Sequence, residues 1–407
     1  KHSSSTGISL SWKVSHDTQC DYIYGRRGET LKLPCFLNAL NFQYRINNSE
    51  KHAQFNRDKV VKLGEKSVKV HFGQNKNTNA KIFRVCIILY ENGTLVPEQE
   101  NELKFYYDTM ILADYINPHF YIPSEDILWV FPYVIGNKSE PALWFQSHFD
   151  KILHEIVLLC KMKKDVNPQE FYIVGQGLGA DAVVKFAPNI LHHFAAVALI
   201  NCQHFSGKEL HPFVNIPLFY NPAEQLVFDM KNLDDLIDWV DFSANAQEIT
   251  GVEPELANMP VITRIDIMRQ LAAIQKFLHS KTRDEYPQKV VWYQPAGPKY
   301  ARFHWLELLD TNIEGPIKIT ATRKSDPITG PLIEIECNNS AVKQILVRLH
   351  YKYVKMNANI VVVFNKEFVY AFRFKETKEV AQKTMDEFGD VMLVTTAQII
   401  VPTATKF

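Results

Sequence analysis

The residues of this chain whose types could do chemistry gather in two neighbouring stretches. Phe171-Tyr-Ile-Val-Gly-Gln-Gly-Leu-Gly-Ala180 sets three glycines at alternate positions between an apolar run and a helical pattern. Asn201-Cys-Gln-His-Phe-Ser-Gly207 follows the next apolar run and brings together a thiol, an imidazole and a hydroxyl. Cys202 or Ser206 with His204 or His211 has the residue types of a nucleophile and base dyad, though such groups at strand ends also serve as plain hydrogen-bonding partners. His192-His193 offers two imidazoles, but neighbours at a helix end do not converge on one ion, and the six cysteines show no metal spacing. No metal and no cofactor is expected.

The elements that must hold these residues are legible from periodicity. Phe171 to Val174 suit a buried strand, and Ala180, Val183, Val184 and Ala187 recur at helical spacing until Pro188 stops the run. Strand, sharp turn and helix result, with Gly177 at the tip. Ile82–Tyr90, Ile127–Phe131, Ala195–Ile200 and Ile216–Tyr220 predict further buried strands. Trp144 to Lys163 predicts an amphipathic helix with Phe145, Phe149, Ile152, Leu153, Ile156 and Cys160 on one face. Asn221-Pro222 has the chemistry of a helix start leading toward Trp239, and Thr263-x-x-Asp266 that of a helix from Arg264 to Ser280. The alternation predicts an α/β fold with a doubly wound, mostly parallel sheet over residues 81–284.

On either side the pattern differs. Residues 1–80 read as a polar, irregular arm with a hairpin, its one alternating stretch being Ser67–Phe72. Beyond Tyr286-Pro287 helical spacing disappears, and a succession of short apolar runs predicts a β-rich, sandwich-like domain over 285–407 with Asn365-Lys366 as a hairpin turn.

Composition excludes several classes. Lys+Arg and Asp+Glu are equal at 45 each among 407 residues, which gives no electrostatic footprint for nucleic acid or an anionic membrane. No run is long and apolar enough for a transmembrane segment. Lys161-Met-Lys-Lys164 reads as the solvated end of a helix. Cys86, Cys160 and Cys202 lie in apolar patterns and are expected as buried free thiols, leaving Cys20 and Cys35 as the pair able to bridge. Asn47, Asn92, Asn137 and Asn338 begin N-x-S/T sequons, and the opening Lys1 fits a processed or truncated form.

Asn167-Pro-Gln-Glu-Phe-Tyr-Ile-Val-Gly-Gln-Gly-Leu-Gly-Ala180, with Pro188 and His193-Phe-Ala-Ala-Val-Ala198 after it, resembles the signature of α/β-hydrolases of the predicted-peptidase and feruloyl-esterase type. Lys281–Trp292 and Tyr300–Leu306 look like the segment that joins the catalytic and C-terminal β domains in some of them, and Ile333–Phe374 is similar to that β domain. The resemblance implies serine hydrolysis of esters or peptides, with the serine on the tight turn. Carried over residue by residue, it finds a degenerate site. Gly177 stands where the serine would be and Gln176 where the histidine before it would be, within the elbow Gly175-Gln176-Gly177-Leu178-Gly179. A glycine has no atom to attack a carbonyl, and it relieves a strain of roughly 1–3 kcal/mol at such a turn. Glu224 is the candidate relic of the acid, although a carboxylate there also suits a helix's first turn. No histidine falls between His211 and His279 to serve as base, and the oxyanion loop reads Glu91-Asn92-Gly93 instead of His-Gly.

These departures lead to the expectation of a catalytically inactive protein, a pseudoenzyme and not an enzyme, acting as a structural or interaction subunit whose partners are other protein subunits of a complex. The arm and the apolar segment Val391–Val394 to Ile399–Val401 would bind them. An active esterase or peptidase with a relocated nucleophile, and a small-ligand or carbohydrate-binding module in the old cleft, are the alternatives. Analogy with subunits recruited into organellar complexes points to the mitochondrion, with secretion as the alternative.

Overall fold

The computed structural model describes residues 22–24, 30–63, 66–73, 80–90, 93–95, 126–135, 143–145, 148–202, 212–213, 216–222, 277–297, 299–326, 330–350, 352, 359–374 and 376–403. Strands β1 (Tyr22–Tyr24) and β2 (Thr30–Lys32) pair antiparallel ahead of helices α1 (Leu33–Asn47) and α2 (Ser49–Asp58). Then follow β3 (Val60–Leu63), β4 (Lys66–Gly73), β5 (Phe83–Tyr90), β6 (Thr94–Leu95), β7 (Ile127–Ile135), α3 (Phe149–Lys161), β8 (Val166–Gln176), α4 (Leu178–Ile190), β9 (Ala196–Cys202) and β10 (Leu218–Pro222).

The main sheet runs β10-β9-β8-β5-β7-β4-β3, with β6 paired to β7. The strands from β10 to β7 are parallel, and β4 and β3 add an antiparallel flank. Burial on both faces explains the unbroken apolar run of β5: Val85, Ile87 and Leu89 enter one core layer, Cys86 and Ile88 the other. Fully burying each such side chain stabilises by about 1.5–3 kcal/mol. Ile152, Leu153 and Ile156 of α3 and Ala180 and Val183 of α4 cover the first face, while Leu278 packs on the second.

The C-terminal part consists of two sheets. β11 (Lys289–Gln294), β14 (Ile317–Asp326), β15 (Gly330–Cys337), β17 (Asn359–Phe364) and β18 (Phe368–Arg373) form one; β12 (Arg302–Phe303), β13 (Leu306–Leu308), β16 (Gln344–Leu349) and β19 (Ala397–Pro402) form the other. Asn365 and Lys366 both take positive φ, 48° and 63°, as a two-residue hairpin turn requires. The core between these sheets, with Trp292, Ile319 and Val347, is continuous with the layer under α3 and α4.

Several expectations are corrected. The described residues before Ser67 are not irregular: Leu33–Asn47 and Ser49–Asp58 fold into α1 and α2, and the β3–β4 hairpin joins the main sheet through β7. α4 passes Pro188 to end at Ile190, since a proline in the last turn forfeits a single backbone donor. Phe145 sits in a separate 3-10 turn (Leu143–Phe145) and is exposed. Asn221 and Pro222 end strand β10 at a register shift, where a bulge tolerates proline's missing donor, and the helix expected from there toward Trp239 lies outside the described residues. The predicted helix from Arg264 lies outside the described residues except for Phe277–His279, which are helical.

Helical structure returns after β18 as α5 (Lys378–Phe388), capped by Thr377 Oγ1, which accepts from Val380 N at 3.3 Å, and ended by Gly389 at φ 58°. The C-terminal apolar segments are no loose tail: Val391–Leu393 is a 3-10 turn and β19 pairs with β16. Lys161 is not solvated. It is 3% exposed, and its Nζ donates to Asp390 Oδ2 at 2.9 Å.

Candidate active site at the strand ends

β8 delivers the chain to the turn, and the turn is held from three sides. Gly177 lies at φ 57°, its N–H donates to Ile200 O of β9 at 2.9 Å, and its carbonyl accepts from Ala180 N and Asp181 N to start α4. A Cβ on Gly175 would come within 2.5 Å of Ala180 Cα, and one on Gly179 within 2.0 Å of Leu89 O. These glycines let the turn fold back tightly between β5 and α4. Gln176 and Leu178 flank the tip half-buried. The result is a tight strand-to-helix turn with no side chain at its tip.

Gly93, at φ 67°, lies against the indole of Trp144: a Cβ there would meet its Cζ2 at 2.5 Å. Trp144 is fully buried and edge-on to Phe149, so an aromatic wall stands beside the strand on which Gly93 O accepts from Val134 N at 3.0 Å. Asn92, Glu224, His204, Ser206 and His211 lie outside the described residues. His279 is at the other end of the sheet, 3.9 Å from Asp126, in a group with Arg84 and Glu170; His304 is in the β12–β13 turn.

Among the described residues, one nucleophile type stands near the turn. Cys202, at the end of β9, is fully buried, and its Sγ donates to Asp181 Oδ1 of α4 at 3.2 Å. Asp181 was not singled out by sequence reasoning. The signal was there: a carboxylate one helical turn past Gly177 points along the same side as the tip. Cys86 and Cys160 are also buried free thiols, pushed up by burial, Cys160 to about 12, which makes them inert fillers. Among the described residues no group of three or more His, Cys, Asp or Glu side chains is arranged to hold a metal ion, and no helix is long and apolar enough to cross a membrane.

No family model and no curated protein matches the sequence. Solved structures do. A thermostable esterase is 15% identical, with 55% of this chain and 62% of that chain covered and a TM-score of 0.37. A fungal esterase from Rhizomucor miehei is 14% identical, covering 61% of this chain and 97% of its own, at 0.31. A dienelactone hydrolase-like promiscuous phosphotriesterase from metagenomic libraries is 8% identical, covering 55% and 96%, at 0.37. This chain thus spans less than two thirds of the thermostable esterase. At these identities and TM-scores the likeness carries no argument of its own, and the fold rests on the sheet order and registers given above. The expectation of a chain that is not an enzyme is nonetheless corrected against this finding, since the solved structures that resemble it are those of enzymes.

Proposed function

Starting from an α/β-hydrolase fold, we propose that the chain is a hydrolase of the ester class whose reacting centre lies where β8 and β9 end, with the Cys202 thiol in the nucleophile's role. The observation that carries the reading is the 3.2 Å hydrogen bond from Cys202 Sγ to Asp181 Oδ1 near a turn whose tip, Gly177, has no side chain. In the reaction, sulfur attacks the acyl carbon as its proton passes to the Asp181 carboxylate. The alkoxide leaves with that proton, and water then hydrolyses the thioester. Ala180 N and Asp181 N are taken by Gly177 O, so the oxyanion would be held by the Leu178 and Gly179 N–H groups at the start of α4. A buried thiol favours small acyl groups, so p-nitrophenyl acetate is the probe.

Turnover by the intact chain, lost by at least about a hundredfold in Cys202→Ala and lowered in Asp181→Asn, supports the reading. Undiminished turnover in Cys202→Ala, or none in the unaltered chain, sinks it.

A second reading concerns assembly, and α1 favours it. Phe42 and Ile46, one turn apart, are 55% and 49% exposed, and an apolar pair on a helix face suits another protein subunit. Sedimentation of natively purified chain should show a stoichiometric complex that Phe42→Glu with Ile46→Glu dissociates; a clean monomer contradicts it.

A further inference from the structure

Four imidazoles, His192 and His193 buried and His154 and His304 half-buried, stand where the α/β layer meets the C-terminal β sheets. His154 is on α3, His192 and His193 form the 3-10 turn Leu191–His193 after α4, and His304 occupies the β12–β13 turn at φ 51°. Ring centroids are 4.1 Å apart for His192 and His193, 5.0 Å for His154 and His193, and 6.4 Å for His192 and His304. Phe388, the last residue of α5, closes over them 5.0 Å from His192. Most of their nitrogens are unmatched: both of His192, both of His304, and Nε2 of His154 and of His193 are buried without a hydrogen-bond partner. Packing alone is a poor reason to keep imidazoles there, because an apolar ring would fill the space without stranded polar atoms.

The charges around them are unequal. Lys161 Nζ bonds to His193 Nδ1 at 3.0 Å and to Asp390 Oδ2 at 2.9 Å, and Arg283 reaches the same carboxylate oxygen at 2.8 Å. Lys161 and Arg283 act on both His192 and His193, and Arg283 on His304. Lys161 and Arg302 oppose a charge on His154, while Glu155 and Asp150 favour one. Two buried cations thus share one buried carboxylate. A proton on any ring adds positive charge to a dry space already in excess of it. Burial first, and then the neighbouring rings and these cations, hold all four rings below the usual imidazole range. Exposed to water, they would regain it.

We propose that this joint is a proton-operated latch: mild acid releases α5 and the β12–β13 turn from α3 and the Leu191–His193 turn, and neutral solution locks them again. The rest of the shared core stays packed, so the opening is local.

Hydrogen exchange on the full chain at pH 7.5 and pH 5.0, corrected for intrinsic rates, tests it. The latch requires that Leu191–Phe194, Arg302–Leu308 and Lys378–Phe388 lose protection by about tenfold or more at the lower pH, with β5 and β8 unchanged. The double variant His192→Leu, His304→Asn removes two titrating rings and no hydrogen bond; asparagine tolerates the positive φ at 304. Its acid response should fall to less than about threefold. Equal protection at both pH values, or an undiminished response in a folded double variant, overturns the proposal. If that variant does not fold, imidazole NMR on the unaltered chain decides. Rings silent until the three segments open support the latch, and rings that titrate near the ordinary value while the segments stay protected refute it.

Discussion

At Gly179 a Cβ would stand 2.0 Å from a backbone oxygen of β5, whereas Gly177 is a glycine because of its φ of 57°. The two positions should answer differently to the same change. Gly179→Ala forces strand and helix apart and is expected to cost about 3 kcal/mol. Gly177→Ala takes on the strain of a positive φ, about 1 kcal/mol. Urea midpoints of the two variants check the order. Asp390 offers a second contrast. Its carboxylate is held far below its usual range by Arg283 and Lys161 despite burial, and removing it with Asp390→Ala leaves two buried cations, a loss of about 3–5 kcal/mol. Lys161→Met leaves the Arg283–Asp390 pair intact, so it should cost clearly less in thermal unfolding.

Among the elements, those with both faces buried were the easiest to read. β5, β9 and the second half of β8, Phe171–Val174, are runs of β-branched and apolar residues whose positions followed from sequence, whereas the polar Asn167–Glu170 that lengthen β8 carry no such pattern. α5 was hidden because its buried face is Ala381, Thr384, Met385 and Phe388, so two of its four inward residues are small or polar. The Lys161 cluster was misread for a different reason: the sequence reports the charge but not the carboxylate that arrives from Asp390, far along the chain. The Cys202–Asp181 pair was half legible, since the thiol stood out and its partner did not. Two element-scale predictions follow from caps and turns. Thr377→Ala should cost about 1 kcal/mol by leaving the Val380 N–H without its acceptor. Lys366→Gly relieves a positive φ of 63° and should raise the melting temperature, corresponding to about 0.5–1 kcal/mol.

For the whole molecule, titration sets the direction of stability with pH. Burial, the largest cause in each case, pulls His154 and His350 down to about 4 and His304 to about 3. Between 6.5 and those values the unfolded chain binds protons that the folded chain refuses, so stability falls as pH drops through that window. Each ring contributes up to about 1.4 kcal/mol per pH unit. Lys161, drawn down to about 7 by burial against the pull of Asp390, has the same sign at higher pH: stability rises from 7 toward 10.5. Urea unfolding from pH 5 to 9 should therefore show a monotonic climb, and a maximum below pH 6 would contradict it.

The face of α1 rests on residues from very late in the sequence. Leu37, Leu40 and Tyr44 are buried against Ala381 and Met385 of α5 and against Val394, with Met162 between them. During synthesis at ~5–20 residues per second, α1 would leave the ribosome on the order of tens of seconds before those partners exist. For that interval its apolar side has nothing of its own to lie against, so a nascent chain offers chaperones a binding site that the finished protein conceals.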